Sequence, residues 1–345
     1  MNTLIISRLF IPVFSVLLMT SCSKNDAEEL VPLPYTEGTV RIAKWKDDKK
    51  AALLIQFDDS TPGQATLGVP AMSKRGLIGT WYVNPGGEYY LLHKDVWENE
   101  APAGNQELAN HTMTHTGAST YDEVVYEVGD ASKAIWRIRK EEDFASLIAF
   151  NRGGGTSWNE DDLKKVLEEY KNIDRLSYTG VKTIAKTIPI GSNADAMYEL
   201  IPIAINDSII CSLHFHGIAA NQGESDYGNG AVWVVEFEKF LDKVLAIKDE
   251  VWNTGYISMY KYTIERQNAS VEIAQYSDEQ FGVKLTTTTD DKYYNEALSI
   301  LVYLPSDWEK CEVNNDGSVK TYTLKNGVLM FDALPNKAEI MIVKK

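Results

Sequence analysis

Two adjacent carboxylates, Asp58-Asp59, follow directly on the apolar run Ala51 to Phe57, at the kind of position where the C-terminal edge of an α/β sheet gathers reactive groups. Neighbouring side chains of a regular strand point to opposite faces. Both aspartates therefore reach one site only where the backbone turns, and Ser60-Thr61-Pro62-Gly63 permits that turn. On its own the pair reads more readily as a solvated acidic turn, since turns favour Asp. His111 and His115 have the spacing that puts two imidazoles on one side of a helical turn, close enough to share a metal ion. Two imidazoles and one carboxylate leave coordination positions open for water and substrate, as a catalytic zinc site requires. His214 and His216 lie two apart at the end of Ile209 to Phe215, so in a regular strand they face the same side, and Gly217 suits a strand that ends there. His93 has no companion and reads as surface or structural.

The elements that must position these groups are legible in outline. At 345 residues and roughly 150 residues per domain, about two domains are expected. Hydrophobic residues at 44% and charged residues at 24% exclude a disordered chain. The charge sum of 34 basic against 49 acidic residues, net −15, repels phosphate backbones and disfavours nucleic-acid binding. Ala51 to Phe57, Ile78 to Val83 and Ile209 to Phe215 read as buried strands. Leu67 to Lys74, the segment after the capping box Ser157-Trp158-Asn159-Glu160, and Phe237 to Leu245 read as helices. That alternation predicts an α/β barrel or layered sheet. From about Gln267 the texture becomes short alternating runs, Val271 to Ala274, Val283 to Thr288, Leu298 to Leu304, Val319 to Leu324, Val328 to Phe331 and Glu339 to Val343, which predict a small β-sandwich. Its Trp308, Tyr293, Tyr294 and Tyr303 read either as a sugar platform or as core. Cys211 and Cys311 are too distant in sequence to suggest a disulfide framework.

Residues 1–22 read as an export signal: Arg8, then the apolar run Leu9 to Met19, too short to span a bilayer. Met19-Thr20-Ser21-Cys22 resembles a bacterial lipoprotein lipobox, which implies lipidation of Cys22 and an outer-membrane lipoprotein touching the membrane only through that anchor. The acidic stretch Ser23 to Glu29 resembles the signal that sends some Bacteroidetes lipoproteins to the cell surface.

Taken together, the chemical groups resemble the motifs of the polysaccharide deacetylases (NodB homology, carbohydrate esterase family 4) over roughly Lys49 to Arg266. Phe57-Asp58-Asp59-Ser60 looks like the first motif, with Gln56 and Ser60 as departures. Gly79-Thr80-Trp81-Tyr82-Val83 looks like the family's G-T-F-Y-V strand, and Glu107 to His115 is similar to its E-I-G-N-H-T-x-x-H. The resemblance implies a distorted (β/α) barrel of the NodB-homology type over 41–266, after the signal peptide 1–22 and a tether 23–40, followed by the all-β sandwich 267–345. It implies that Asp59, His111 and His115 bind a divalent metal, commonly zinc, with Asp58 as general base toward metal-activated water, and an N- or O-acetylated glycan as substrate. His216, or His214 as second choice, would protonate the leaving group, and Asn110 would orient a ligand from behind. Phe150-Asn151-Arg152-Gly153-Gly154-Gly155 stands where the third motif is expected; it keeps an arginine, Arg152, to tether the base, but lacks the proline and aromatic. Its glycines can present N–H groups to an oxyanion. Because of such departures, a non-catalytic surface glycan-binding lipoprotein on a degenerate scaffold is the alternative expectation.

Overall fold

The short first strand, β1 (Thr39–Ile42), leads not into the barrel but into the C-terminal part of the molecule, in a computed structural model that describes residues 36–177, 179–221, 230–324 and 326–345. The export signal, Cys22 and the tether up to residue 35 lie outside the described residues. The barrel strands are β2 (Ala51–Asp58), β3 (Gly79–Val83), β4 (Glu107–Asn110), β5 (Ile148–Phe150), β6 (Asn172–Asp174), β7 (Thr183–Thr187) and β8 (Ile210–Phe215). A two-stranded ribbon, β9 (Ile218–Ala219) with β10 (Val232–Trp233), follows, and then β11 (Val251–Asn253). The large sheet is parallel throughout, in the order β6-β5-β4-β3-β2-β8-β7, with β11 beside the start of β2. It curves as a half-barrel left open between β6 and β7, the distorted (β/α) barrel that the motifs imply.

Register explains why chemistry collects at one edge. Val83, Asn110, Phe150 and Asp174 are paired in a row across β3 to β6. The four residues that come next in the chain are Asn84, His111, Asn151 and Arg175, and all of them act in the site described below. The inner face of β2 is graded by its two-residue period: Ala52 and Leu54 are apolar, Gln56 and Asp58 polar. Across the same face, β8 runs Ile210, Ser212, His214. Ala51, Leu53, Ile55 and Phe57 point the other way and join the core under the outer helices.

The inner face packs on the last long helix (Tyr256–Asn268), whose Tyr256, Met259 and Tyr262 share one hydrophobic core with the C-terminal strands. Those are β12 (Ala269–Tyr276), β13 (Gln280–Thr287), β14 (Leu298–Tyr303), β15 (Lys310–Asn315), β16 (Ser318–Thr323), β17 (Val328–Ala333) and β18 (Ile340–Lys344). They form two antiparallel sheets, β1-β14-β17 and β12-β13-β18-β15-β16. Two details depart from the sequence reading. β15, with its polar KCEVNN sequence, had no apolar alternation strong enough to mark it, and β1 completes the smaller sheet because the edge of β14 needs a hydrogen-bonding partner. Trp308 and Tyr303 are buried, Trp308 edge-on to Phe281, so they are core and not a sugar platform. Thr36–Lys345 gathers into one compact unit. The texture change near residue 267 marks the end of the last helix, across which the core is continuous.

Within that core Glu265 is fully buried; its Oε2 accepts the Glu296 N–H at 2.8 Å, while Oε1 has no hydrogen-bond partner among the described residues. Burial pushes its carboxyl up from 4.5 to about 7. The folded protein thus holds a proton that the unfolded chain releases between these two values, so this group makes stability fall as pH rises from 4.5 to about 7. Glu265→Gln is expected to remove that part of the slope, making the variant more stable than the wild type at pH 8 and converging with it near pH 4 to 5; urea unfolding midpoints across the range check this.

Candidate active site

β2 leaves the sheet through an abrupt turn. Asp59 takes φ +82° and Ser60 φ +53°, left-handed values that non-glycine residues adopt at a cost of about 1–3 kcal/mol each. The turn gives the two neighbouring carboxylates separate partners on one side of the sheet. Asp58 is buried, with Oδ1 accepting from an Arg175 guanidinium nitrogen at 2.8 Å and Oδ2 from Asn151 Nδ2 at 3.2 Å. Asp59 faces the imidazoles: its Oδ1 lies 3.1 Å from His111 Nε2 and 3.7 Å from His115 Nε2. Together the three groups offer one oxygen and two nitrogens within 4.8 Å of one another.

The His-x-x-x-His segment is a loop and not the helical turn expected from its spacing. Thr112 and His115 have φ +71° and +61°, and a set of buried side chains takes the place of helical hydrogen bonds. Asn110 Oδ1 accepts the Thr112 N–H at 2.7 Å, while its Nδ2 is spent on the Val128 carbonyl, Ser132 and Asn172. Asn110 therefore shapes the loop backbone, and its hydrogen bonds among the described residues go to groups other than the His111 and His115 rings. Asn84 Nδ2 donates to the His111 and Thr112 carbonyls, and the Asn84 N–H donates to Ser60 Oγ at 2.9 Å. Glu127 receives the Thr114 N–H at 2.8 Å. These contacts tie the first turn to the histidine loop.

His111 donates Nδ1–H to the Asn151 carbonyl at 2.8 Å, which fixes the ring with Nε2 facing Asp59. Burial disfavours charge on both His111 and Asp59. The hydrogen bond between them and the neighbouring opposite charges outweigh it, raising the imidazole and lowering the carboxyl below its usual range. One carboxylate oxygen and two imidazole nitrogens, converging and oriented from behind, are a donor set that fits a divalent cation of the zinc type.

The remaining sequence candidates divide. His214 and His216 both line the cleft of about 320 Å³ that contains Asp58, Asp59, His111, His115, Asn151 and Arg175. His214 Nε2 meets Ser212 Oγ at 2.8 Å, in a chain that runs on through Gln56 to the Tyr82 hydroxyl. Burial, and then the Arg175 charge, push its pKa down to about 4, so it is neutral at pH 7. Arg152 is not in the cleft: it is half-exposed and paired with Glu160 at 2.5 Å. The guanidinium that reaches Asp58 is Arg175, one residue beyond β6, lying 5.2 Å over the Tyr82 ring. Sequence reasoning missed it because the three-residue strand Asn172–Asp174 carries little periodic signal. Gln64 was missed too: its Nε2 donates to the Asp58 carbonyl at 2.5 Å and to the His216 carbonyl, joining the ends of β2 and β8. The helix expected after Ser157 starts at Glu160 and is capped by Asn159, whose Oδ1 accepts the Asp162 N–H.

The glycine loop also makes room for an imidazole. Gly153 has φ +77°, and a Cβ built there would run into the His115 ring. Gly154 lines the cleft.

No family model matches the chain. Among curated proteins it is similar to a gellan lyase from Bacillus sp, 20% identical over 345 aligned residues; the match spans 90% of this chain and only 13% of that much longer protein. Among solved structures it is similar to a putative polysaccharide deacetylase from Mycobacterium smegmatis, with 13% identity, TM-score 0.44, and 65% of this chain and 93% of that chain covered. A second is the catalytic domain of a peptidoglycan N-acetylglucosamine deacetylase from Eubacterium rectale (12%, 0.40, 61% and 91%). A third is a mutant of BA3943, a CE4 family pseudoenzyme with restored enzymatic activity (14%, 0.39, 60% and 66%).

Gly153→Ala is expected to displace His115 and weaken zinc binding by about 10- to 100-fold, with the far-ultraviolet circular dichroism unchanged. Calorimetric titration of zinc into metal-free protein measures it.

Proposed function

We propose that this protein is a metal-dependent hydrolase that removes acetyl groups from a carbohydrate. One observation carries the reading: Asp59, His111 and His115 close on a common point while a second carboxylate, Asp58, stands beside them on its own guanidinium. Asp59, His111 and His115 would hold the divalent cation, zinc being our proposal, and when bound it would supply Lewis-acid activation of water and of the acyl carbonyl.

The protein's own groups then have distinct tasks. Asp58, aimed by Arg175 and Asn151, accepts the proton of the attacking water. His214 is neutral and engaged with Ser212, so the proton for the leaving amine or alcohol comes from His216, which lines the same cleft and whose backbone is anchored by Gln64. Gly154, which lines the cleft, would offer its backbone N–H to the developing oxyanion. The alternative, a non-catalytic glycan-binding protein, drew on the altered third and fourth motifs; an Asp58 held by Arg175 supports the hydrolase reading over it. The leader motif supports, as a further proposal, export as an outer-membrane lipoprotein anchored at Cys22.

Acetate release from acetylated chito-oligosaccharides and acetylated xylan is expected to be abolished by chelation and restored by zinc. Asp58→Asn is expected to keep stoichiometric zinc and lose a factor on the order of 10²–10⁴ in kcat, whereas His111→Ala loses the metal as well. Wild-type turnover in Asp58→Asn would remove the base assignment. Arg175→Leu is expected to lower kcat by about 10- to 100-fold, while Arg152→Ala stays within about twofold of wild type.

A further inference from the structure

Three clefts adjoin at the C-terminal edge of the barrel. The one containing Asp58 and Arg175, about 320 Å³, shares Asp59 and His115 as walls with a second of about 390 Å³. The second shares Thr114 with a third of about 420 Å³. Each has a volume typical of small-ligand sites. Adjoining through these shared residues, they line a surface path that reaches from Asp58 to Tyr126.

Two features of this path are independent of the metal ligands. First, it exposes a tyrosine in each outer cleft: Tyr89 is 37% exposed in the second and Tyr126 is 48% exposed in the third. Neither ring packs on another aromatic among the described residues. An exposed tyrosine offers an apolar face for the C–H face of a pyranose and a hydroxyl for its rim. Second, the charge lining the outer clefts has one sign. Glu88 lines the second, Glu123 and Glu127 the third, and among the described residues no lysine or arginine lines either. The one guanidinium of the first cleft, Arg175, is already taken by Asp58. Glu123 is held ionised by the N–H groups of Ser119 and Thr120. In a protein of net charge −15, a polyanion extending into the two outer clefts meets like charge.

We infer that the path is a track for an uncharged glycan chain, extending from the Asp59–His115 centre past Tyr89 to Tyr126, and that Glu88 and Glu123 select against uronate-bearing or otherwise polyanionic glycans. The inference rests on the hydrolase reading only for which end of the track holds the reacting sugar.

Direct binding tests the track separately from turnover. The probes are an N-acetylated hexasaccharide containing uronates, the same hexasaccharide with its carboxylates reduced to alcohols, and a β-1,4-linked N-acetylglucosamine hexamer with its trimer, each titrated calorimetrically into the zinc-loaded protein at 20 and 500 mM salt. The reduced hexasaccharide is expected to bind at least about tenfold more tightly than its anionic parent at low salt, with the gap closing at high salt. Glu88→Lys narrows the low-salt gap. Tyr126→Ala weakens the N-acetylglucosamine hexamer by about tenfold and the trimer much less. Equal or tighter binding of the anionic parent at low salt, an unaltered hexamer affinity in Tyr126→Ala, or binding of none of the probes overturns the inference. Binding as described without acetate release leaves the track standing and overturns the hydrolase reading instead.

Discussion

The left-handed turn at Asp59 and Ser60 is the constraint on which the site depends. Two carboxylates on consecutive residues would ordinarily face opposite sides of a strand, or repel each other on one side. Here the turn separates their duties: Asp58 stays in register on the inner face, against Arg175 and Asn151, and Asp59 swings toward His111 and His115. Each carboxylate thus has its own set of partners. The backbone strain is held in place by contacts that reach across the sheet. Ser60 Oγ receives the Asn84 N–H, Asn84 clasps the carbonyls of His111 and Thr112, and Gln64 bridges the ends of β2 and β8.

That arrangement needs a rigid floor, and the graded inner face supplies one. At the start of the strands it is apolar and packs on the last helix, which in turn shares its core with the C-terminal sheets. Toward the end of the strands it becomes polar, through the Tyr82–Gln56–Ser212–His214 chain, whose hydrogen bonds satisfy groups that burial would otherwise make costly. The C-terminal sheets thus buttress the barrel from its concave side. The site opens at the other end of the same strands, where the clefts and their exposed tyrosines lie.

The residue types, their order and the main strands were legible in the sequence alone. Ala51 to Phe57, Ile78 to Val83 and Ile209 to Phe215 are long and apolar enough to declare themselves, and the pairs Asp58-Asp59 and His111/His115 mark chemistry by type and spacing. Local pattern was sufficient there because burial on both faces and ligand chemistry each restrict the residues allowed at consecutive positions. Tertiary structure decided the rest. That Arg175, and not Arg152, holds Asp58 follows from strand register, which aligns residues separated by more than a hundred positions and leaves no trace in local composition. That His111 and His115 meet through a strained loop, and that Gly153 must lack a side chain beside His115, depend on the buried amides and carboxylate of Asn84, Asn110 and Glu127. Their hydrogen-bonding groups find partners only after the sheet has closed around them.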